Sequence, residues 1–188
     1  MTDEQKKLFR QACREAIAEV YETTLQLKAI FDEGQEPLQA AQDKSVIATI
    51  GFAGSIEGSL VMIVSDRMAC GLVSSMLGME IEVVDLEVLD GVGEILNMIA
   101  GVTKRKGALA ASGFEICIPS VISGEKQMCV ATLKHTELTT IKVGSNKGSA
   151  LFLLTLAAIG HERRIPGAQR KDHEAAQSLQ DLVNDKEV

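Results

Sequence analysis

Hydrophobic and polar positions alternate with two different periods along the chain, and the changes of period mark its elements. Residues 3–31 carry Leu8, Phe9, Ala12, Cys13, Ala16, Ile17, Val20, Tyr21, Leu25 and Ile30, mostly at three- and four-residue steps, which predicts one long amphipathic helix. Gly34 and Pro37 end it, and a polar loop follows to about Asp43. Residues 45–53 are rich in Val, Ile and Thr, as a strand should be, and after Gly54-Ser55 a second strand runs over about 56–65. Strands so closely linked predict an antiparallel hairpin, with Gly51, Gly54 and Gly58 serving its geometry. Asp66 is the expected N-cap of a short helix that ends near Leu77, with Gly78 as its stop signal. A further helix is expected from about Asp85 to Lys106, then a loose connection of small residues. Strands follow at about 114–122, 127–135, 138–144 and 149–158, separated by the turn signals Ser123-Gly124, Thr136-Glu137 and Asn146-Lys147-Gly148. This order predicts an α+β domain over residues 1–160: a long N-terminal helix and two further helices packed on one face of a mainly antiparallel sheet. Residues 161–188 read separately, as a charged linker and then a short helix or solvated tail carrying Ala176, Leu179 and Val183.

Composition narrows the function. The 188 residues are 46% hydrophobic, enough to fill a core, and their net charge is -7. An acidic chain with 3% aromatic residues and no Trp suits neither phosphate-backbone binding nor base stacking, so nucleic acid is excluded as a partner. The longest apolar runs, such as 150–160, are too short to span a bilayer, and the acidic start, Met1-Thr2-Asp3-Glu4, is no signal peptide; a cytoplasmic protein is expected. Cys13, Cys70, Cys117 and Cys129 form no C-x-x-C pair and read as buried free thiols. His135, His161 and His173 have no His or Cys at ligand spacing, and no glycine-rich phosphate loop or nucleophile elbow is present. The chain itself is therefore expected to bind neither metal nor cofactor.

Candidate chemistry concentrates in the helix after Asp85. Val88, Leu89, Val92, Ile95, Leu96, Ile99 and Val102 fall on one broad face, which must be buried. Asp90, Glu94, Asn97, Gly101, Lys104 and Arg105 fall in a narrow stripe opposite. A carboxylate and a carboxamide thus lie side by side on an exposed, rigid surface, with Gly101 leaving room for another surface to approach. Gly91, Gly93 and Gly101 each cost about 1 kcal/mol against Ala inside a helix, which points to close packing or close approach. Periodicity alone is satisfied equally by an ordinary solvated face.

The run Asp90-x3-Glu94-x2-Asn97, then Met98-Ile99-Ala100-Gly101 and Pro119 in the next strand, resembles the signature of the CheC/CheX/FliY chemotaxis phosphatases, most closely the CheX branch. The flanking pattern agrees: Gly58-Ser59-Leu60-Val61 in a strand, a helix ending Ser75-Met76-Leu77-Gly78, and Ile118-Pro119-Ser120-Val121-Ile122-Ser123-Gly124. The resemblance covers roughly residues 5–160. It implies hydrolysis of the aspartyl phosphate on a CheY-type response regulator, with Asn97 orienting the attacking water and Glu94 pairing with the regulator's lysine. From their place on the stripe, Asp90, Gly101, Lys104 and Arg105 are expected to border the partner, with Asp90 also read as a local helix or loop contact; by the resemblance, Mg2+ would sit in the partner's active site and the chain would be a homodimer. The first helix offers Glu15 followed by Ala18, and Glu19 followed by Glu22; neither pair supplies an Asn, so one site per chain is expected. The alternative is a non-enzymatic homodimeric interaction module of the chemotaxis or flagellar switch system.

Overall fold

In a computed structural model the residues described are 3–32, 44–106, 113–124 and 136–157. Ten elements follow in order: α1 (Asp3–Thr23), β1 (Ile30–Asp32), β2 (Ser45–Gly54), β3 (Gly58–Ser65), α2 (Asp66–Leu77), α3 (Leu86–Arg105), β4 (Phe114–Ile116), β5 (Ser120–Gly124), β6 (Thr136–Ser145) and β7 (Gly148–Ala157). The strands form one sheet in the order β1-β6-β7-β3-β2-β4, with β5 also paired to β2, and every pairing is antiparallel. The α+β architecture expected from the pattern is the one observed. The boundary at 160 and the tail from 161 lie outside the described residues, as do the expected strand at 127–135 and Cys129.

The helices are amphipathic because they cover the sheet. Val46, Ala48, Ile50 and Phe52 of β2 join Leu60, Met62 and Val64 of β3, and Phe152 and Leu154 of β7, in one core with the buried faces of all three helices. At its heart Phe9, Phe52 and Phe114 meet with ring centroids 5.2–5.8 Å apart, tying α1 to β2 and β4. The alternate residues Ile47, Val61, Ile63 and Leu151 form a second, smaller buried cluster on the other face of the sheet.

Five local expectations are corrected. The first helix stops at Thr23, not 31: Gln26 takes a positive φ of 53°, Leu25 and Leu27 still bury, and Ile30–Asp32 then pairs with β6. The hydrophobic period continues past Thr23 because Leu25 and Leu27 reach the same core from a non-helical backbone. The N-cap of α2 is Ser65, whose Oγ accepts from the Met68 amide, and Asp66 is the first helical residue. The strand expected over 114–122 is broken at 117–119, where Pro119 supplies no amide hydrogen to the sheet. In that break Cys117 is exposed, whereas Cys13 and Cys70 are buried thiols as expected. Finally, Thr136-Glu137 begins β6 and is not a turn, because Glu137 is held in the strand by Lys6 and Arg10 of α1.

Two glycines answer to geometry. Gly54 takes a φ of 108°, and a Cβ on Gly58 would collide with the Thr155 carbonyl of the neighbouring strand.

Candidate functional site

The helix α3 is set by its ends and its buried face. Asp85 caps it, its carboxylate accepting from the Val88 amide at 3.0 Å, and Lys104 and Arg105 lie in the last turn, where cations oppose the helix dipole. Val88, Val92, Ile95, Leu96 and Ile99 are fully buried, which fixes the rotation of the helix and turns Asp90 and Glu94 outward.

Two of its glycines are explained by packing. A Cβ on Gly91 would lie 2.8 and 2.9 Å from the Val73 methyls of α2, and one on Gly93 would lie 3.1 Å from Val121 and 3.9 Å from Pro119. These contacts bring α2 against one side of α3 and the 117–121 segment against the turn that carries Glu94 and Asn97. Their propensity cost is the sign of this close approach in the sequence.

On the outer face Asn97 Nδ2 donates to Glu94 Oε2 at 3.3 Å. The bond spends one amide hydrogen and one carboxylate oxygen. Asn97 Oδ1 and Glu94 Oε1 have no protein partner among the described residues, which leaves the pair's remaining valences to its surroundings. Asp90 is exposed on the same stripe and makes no hydrogen bond or ion pair among the described residues.

The other stripe residues are placed differently. A Cβ on Gly101 would meet only Arg105 Nη1, at 3.6 Å, so the room beside Gly101 is lined by the Arg105 guanidinium. Lys104 turns away from the pair: its Nζ lies 3.3 Å from Glu115 of β4 and 5.5 Å above the Phe114 ring. The structure therefore groups Asp90, Glu94, Asn97, Gly101 and Arg105, and engages Lys104 within the fold. Nothing in a helical wheel distinguishes Lys104 from Arg105; that requires knowing where β4 lies.

Cavities of about 1000 and 450 Å3 open among the described residues, and neither includes Glu94 or Asn97. The larger runs along α2 and residues 78–84, past Asp66, Cys70 and Lys147. Burial raises the Cys70 thiol pKa, and the nearby Asp66 charge adds to the effect, so this thiol is not an activated nucleophile. Cys13 is likewise pushed up to about 12 by burial, against a hydrogen bond with Thr103 that lowers it. The described residues hold no group of three or more His, Cys, Asp or Glu placed to bind a metal ion, and no helix among them is long and apolar enough to cross a membrane. The polar pair lies on the outer face of α3, with Glu94 exposed and Asn97 half-buried.

Comparison with known proteins gives the same helix a context. The family described as chemotaxis phosphatase CheX matches residues 46–142, which include all of α2 and α3. The CheY-P phosphatase CheX of Thermotoga maritima is 34% identical over 112 residues, 57% of this chain and 72% of the relative. Among solved structures, the chemotaxis protein CheX from Vibrio vulnificus is 26% identical and superposes with a TM-score of 0.67 over 79% of this chain and 95% of its own. The CheX-CheY-BeF3-Mg complex from Borrelia burgdorferi shares the fold at 21% identity, with a TM-score of 0.64 over 80% of this chain and 98% of that one. A family match across just over half of the chain, together with a relative at this identity, establishes that the chain belongs to the CheX chemotaxis phosphatases.

Proposed function

We propose that the chain is a hydrolase that removes the aspartyl phosphate of a CheY-type response regulator, with Glu94 and Asn97 as the residues that do so. The observation that carries this reading is the Glu94–Asn97 pair on the outer face of α3, with Glu94 exposed and Asn97 half-buried, whose side chains bond only to each other among the described residues. Its support from relatives is that the Thermotoga maritima protein is a CheY-P phosphatase and that the Borrelia burgdorferi CheX is seen in complex with CheY.

The chemistry asked of the chain is modest. An acyl phosphate is already reactive, so acceleration consists mainly of holding a water in line with phosphorus. Water oxygen attacks phosphorus, the bond from phosphorus to the aspartyl oxygen breaks, and the products are the regulator's carboxylate and inorganic phosphate, which takes up the water's proton with the solvent. Asn97 Oδ1 accepts from that water. A carboxamide serves this purpose because it changes no charge during the reaction.

Glu94 has two tasks in this reading. One oxygen fixes the Asn97 amide so that its Oδ1 faces outward, and the other accepts from the regulator's lysine, which sets the distance between the two proteins. The phosphoryl charge is met on the regulator's side, where Mg2+ is expected. Asp90, Gly101 and Arg105 border the contact, with Lys104 joining them only on leaving Glu115. The homodimer implied by the family resemblance is independent of these roles.

The test is the decay of a phosphorylated CheY-type regulator in Mg2+ buffer with and without the protein. Accelerated release of phosphate supports the reading. Tight, phosphorylation-independent binding with no acceleration would replace it with a non-enzymatic interaction module.

A further inference from the structure

Two large apolar side chains are left uncovered on the elements around the polar pair, one on α3 itself and one on the segment packed against it. Leu86, the first residue of α3, is 80% exposed, and Ile118, in the break between β4 and β5, is 90% exposed. Single exposed apolar residues are ordinary, but one of these lies on the helix that carries the pair and the other adjoins Pro119, which packs against that helix. Leu86 precedes Asn97 by eleven residues, three turns of helix, so the two lie within about 20° on the wheel and roughly 16 Å along the axis. Ile118 is joined to Pro119, which packs beside Gly93 on the turn that carries Glu94 and Asn97. The span fits inside a standard protein–protein footprint of about 800 Å2 per partner.

Resting on the proposed function, we infer that Leu86 and Ile118 form an apolar rim that seals the Glu94–Asn97 centre against the receiver domain of the phosphorylated regulator. An open carboxylate–lysine pair is worth little in water. Apolar contacts around it exclude solvent and make the same pair count, as the rims of interface hot spots do. Charge points to the same occupant. Glu87, Asp90 and Glu94 are exposed and without ion pairs among the described residues, so the stripe between Leu86 and Asn97 is acidic and suits a surface that presents a lysine. The rim thereby selects regulators that carry apolar residues next to that lysine. Leu86 and Ile118 are docking residues and take no part in the reaction.

The experiment measures two quantities for the wild type, the double variant Leu86→Ser/Ile118→Ser and the control Leu138→Ser. Leu138 is 52% exposed on β6, opposite Thr155 on the sheet face away from the helices. The first quantity is the affinity for a beryllofluoride-activated regulator; the second is the phosphate release rate against protein concentration. The inference predicts about tenfold weaker binding and a matching rise in half-saturating concentration for the double variant. Its saturating rate stays within about twofold of wild type, and Leu138→Ser is unchanged. Unaltered binding by the double variant would overturn the rim. So would a lower saturating rate at unchanged affinity, or a change confined to self-association, which would give the surface to a second copy of the chain. If the wild type binds through Leu86 and Ile118 but releases no phosphate, the rim stands and the catalytic reading fails.

Discussion

The helices α1 and α3 pack against each other and share one core, yet their outer faces are used in opposite ways. On α1 the polar residues are tied into the fold. Lys6 and Arg10 both hold Glu137 of β6, Glu19 binds Lys106, and Arg14 lies 4.7 Å over the Phe31 ring; Gln11 and Glu15 pair within the helix. On α3 Asp90 has no such tie among the described residues, and Glu94 and Asn97 bond only to each other. A polar helix face is thus informative less for its composition than for what already occupies it: α1 spends its charges on position, and α3 keeps a carboxylate and a carboxamide available.

The strongest challenge to that contrast is to move the asparagine. In a protein carrying Asn97→Ala, the change Ala18→Asn recreates a Glu-x-x-Asn spacing on α1, from Glu15. Phosphate release should stay at the unassisted level, about a hundredfold or more below wild type, because the α1 face is engaged by Glu137, Lys106 and Phe31 and lacks the surroundings of α3. Recovered turnover would show that spacing alone suffices. A smaller effect is expected from Glu94→Ala, which should weaken binding of an activated regulator by about 1–3 kcal/mol in calorimetric titration, with a parallel fall in rate.

Stability measurements sharpen the contrast within α3 itself. Gly91→Ala drives a methyl into Val73 and should cost a net of about 1 kcal/mol in denaturant unfolding, since overpacking exceeds the gain in helix propensity. Gly101→Ala meets only Arg105 at 3.6 Å and should instead stabilise by up to about 1 kcal/mol. The smallest effect concerns the anchoring of α1. Lys6, by its hydrogen bond, and then Arg10 hold the Glu137 carboxyl below its ordinary value of 4.5. A lowered carboxyl stabilises the fold above its unfolded value, and that contribution is lost as pH falls through the folded value. Glu137→Gln should therefore flatten the loss of stability below about pH 4.5, and cost at most about 1 kcal/mol at neutral pH because the pair is screened by water.

Much of the fold and of the polar pair is legible in the amino-acid pattern. The buried face of α3, its Asp85 start and its outward Glu94 and Asn97 follow from a strong period of 3.6 with clear end signals. The end of α1 is not legible, because Leu25 and Leu27 continue the hydrophobic pattern into a turn set by the positive φ of Gln26. A three-residue strand such as Ile30–Asp32 has no period of its own; only β6 defines it. The engagement of Lys104 by Glu115, and the approach of Pro119 to Gly93, join residues distant in sequence, and such contacts leave no local pattern. Glu137 resembles a turn residue for the same reason, since its partners lie on α1.

The most direct test of the account follows a phosphorylated CheY-type regulator through a single turnover, with saturating wild-type protein or the Asn97→Ala variant. Phosphate release is expected to be rapid with the wild type and to fall to the regulator's own rate with Asn97→Ala, while the variant still binds the activated regulator with near wild-type affinity. Turnover retained in Asn97→Ala would contradict the assignment of the water-orienting role to Asn97.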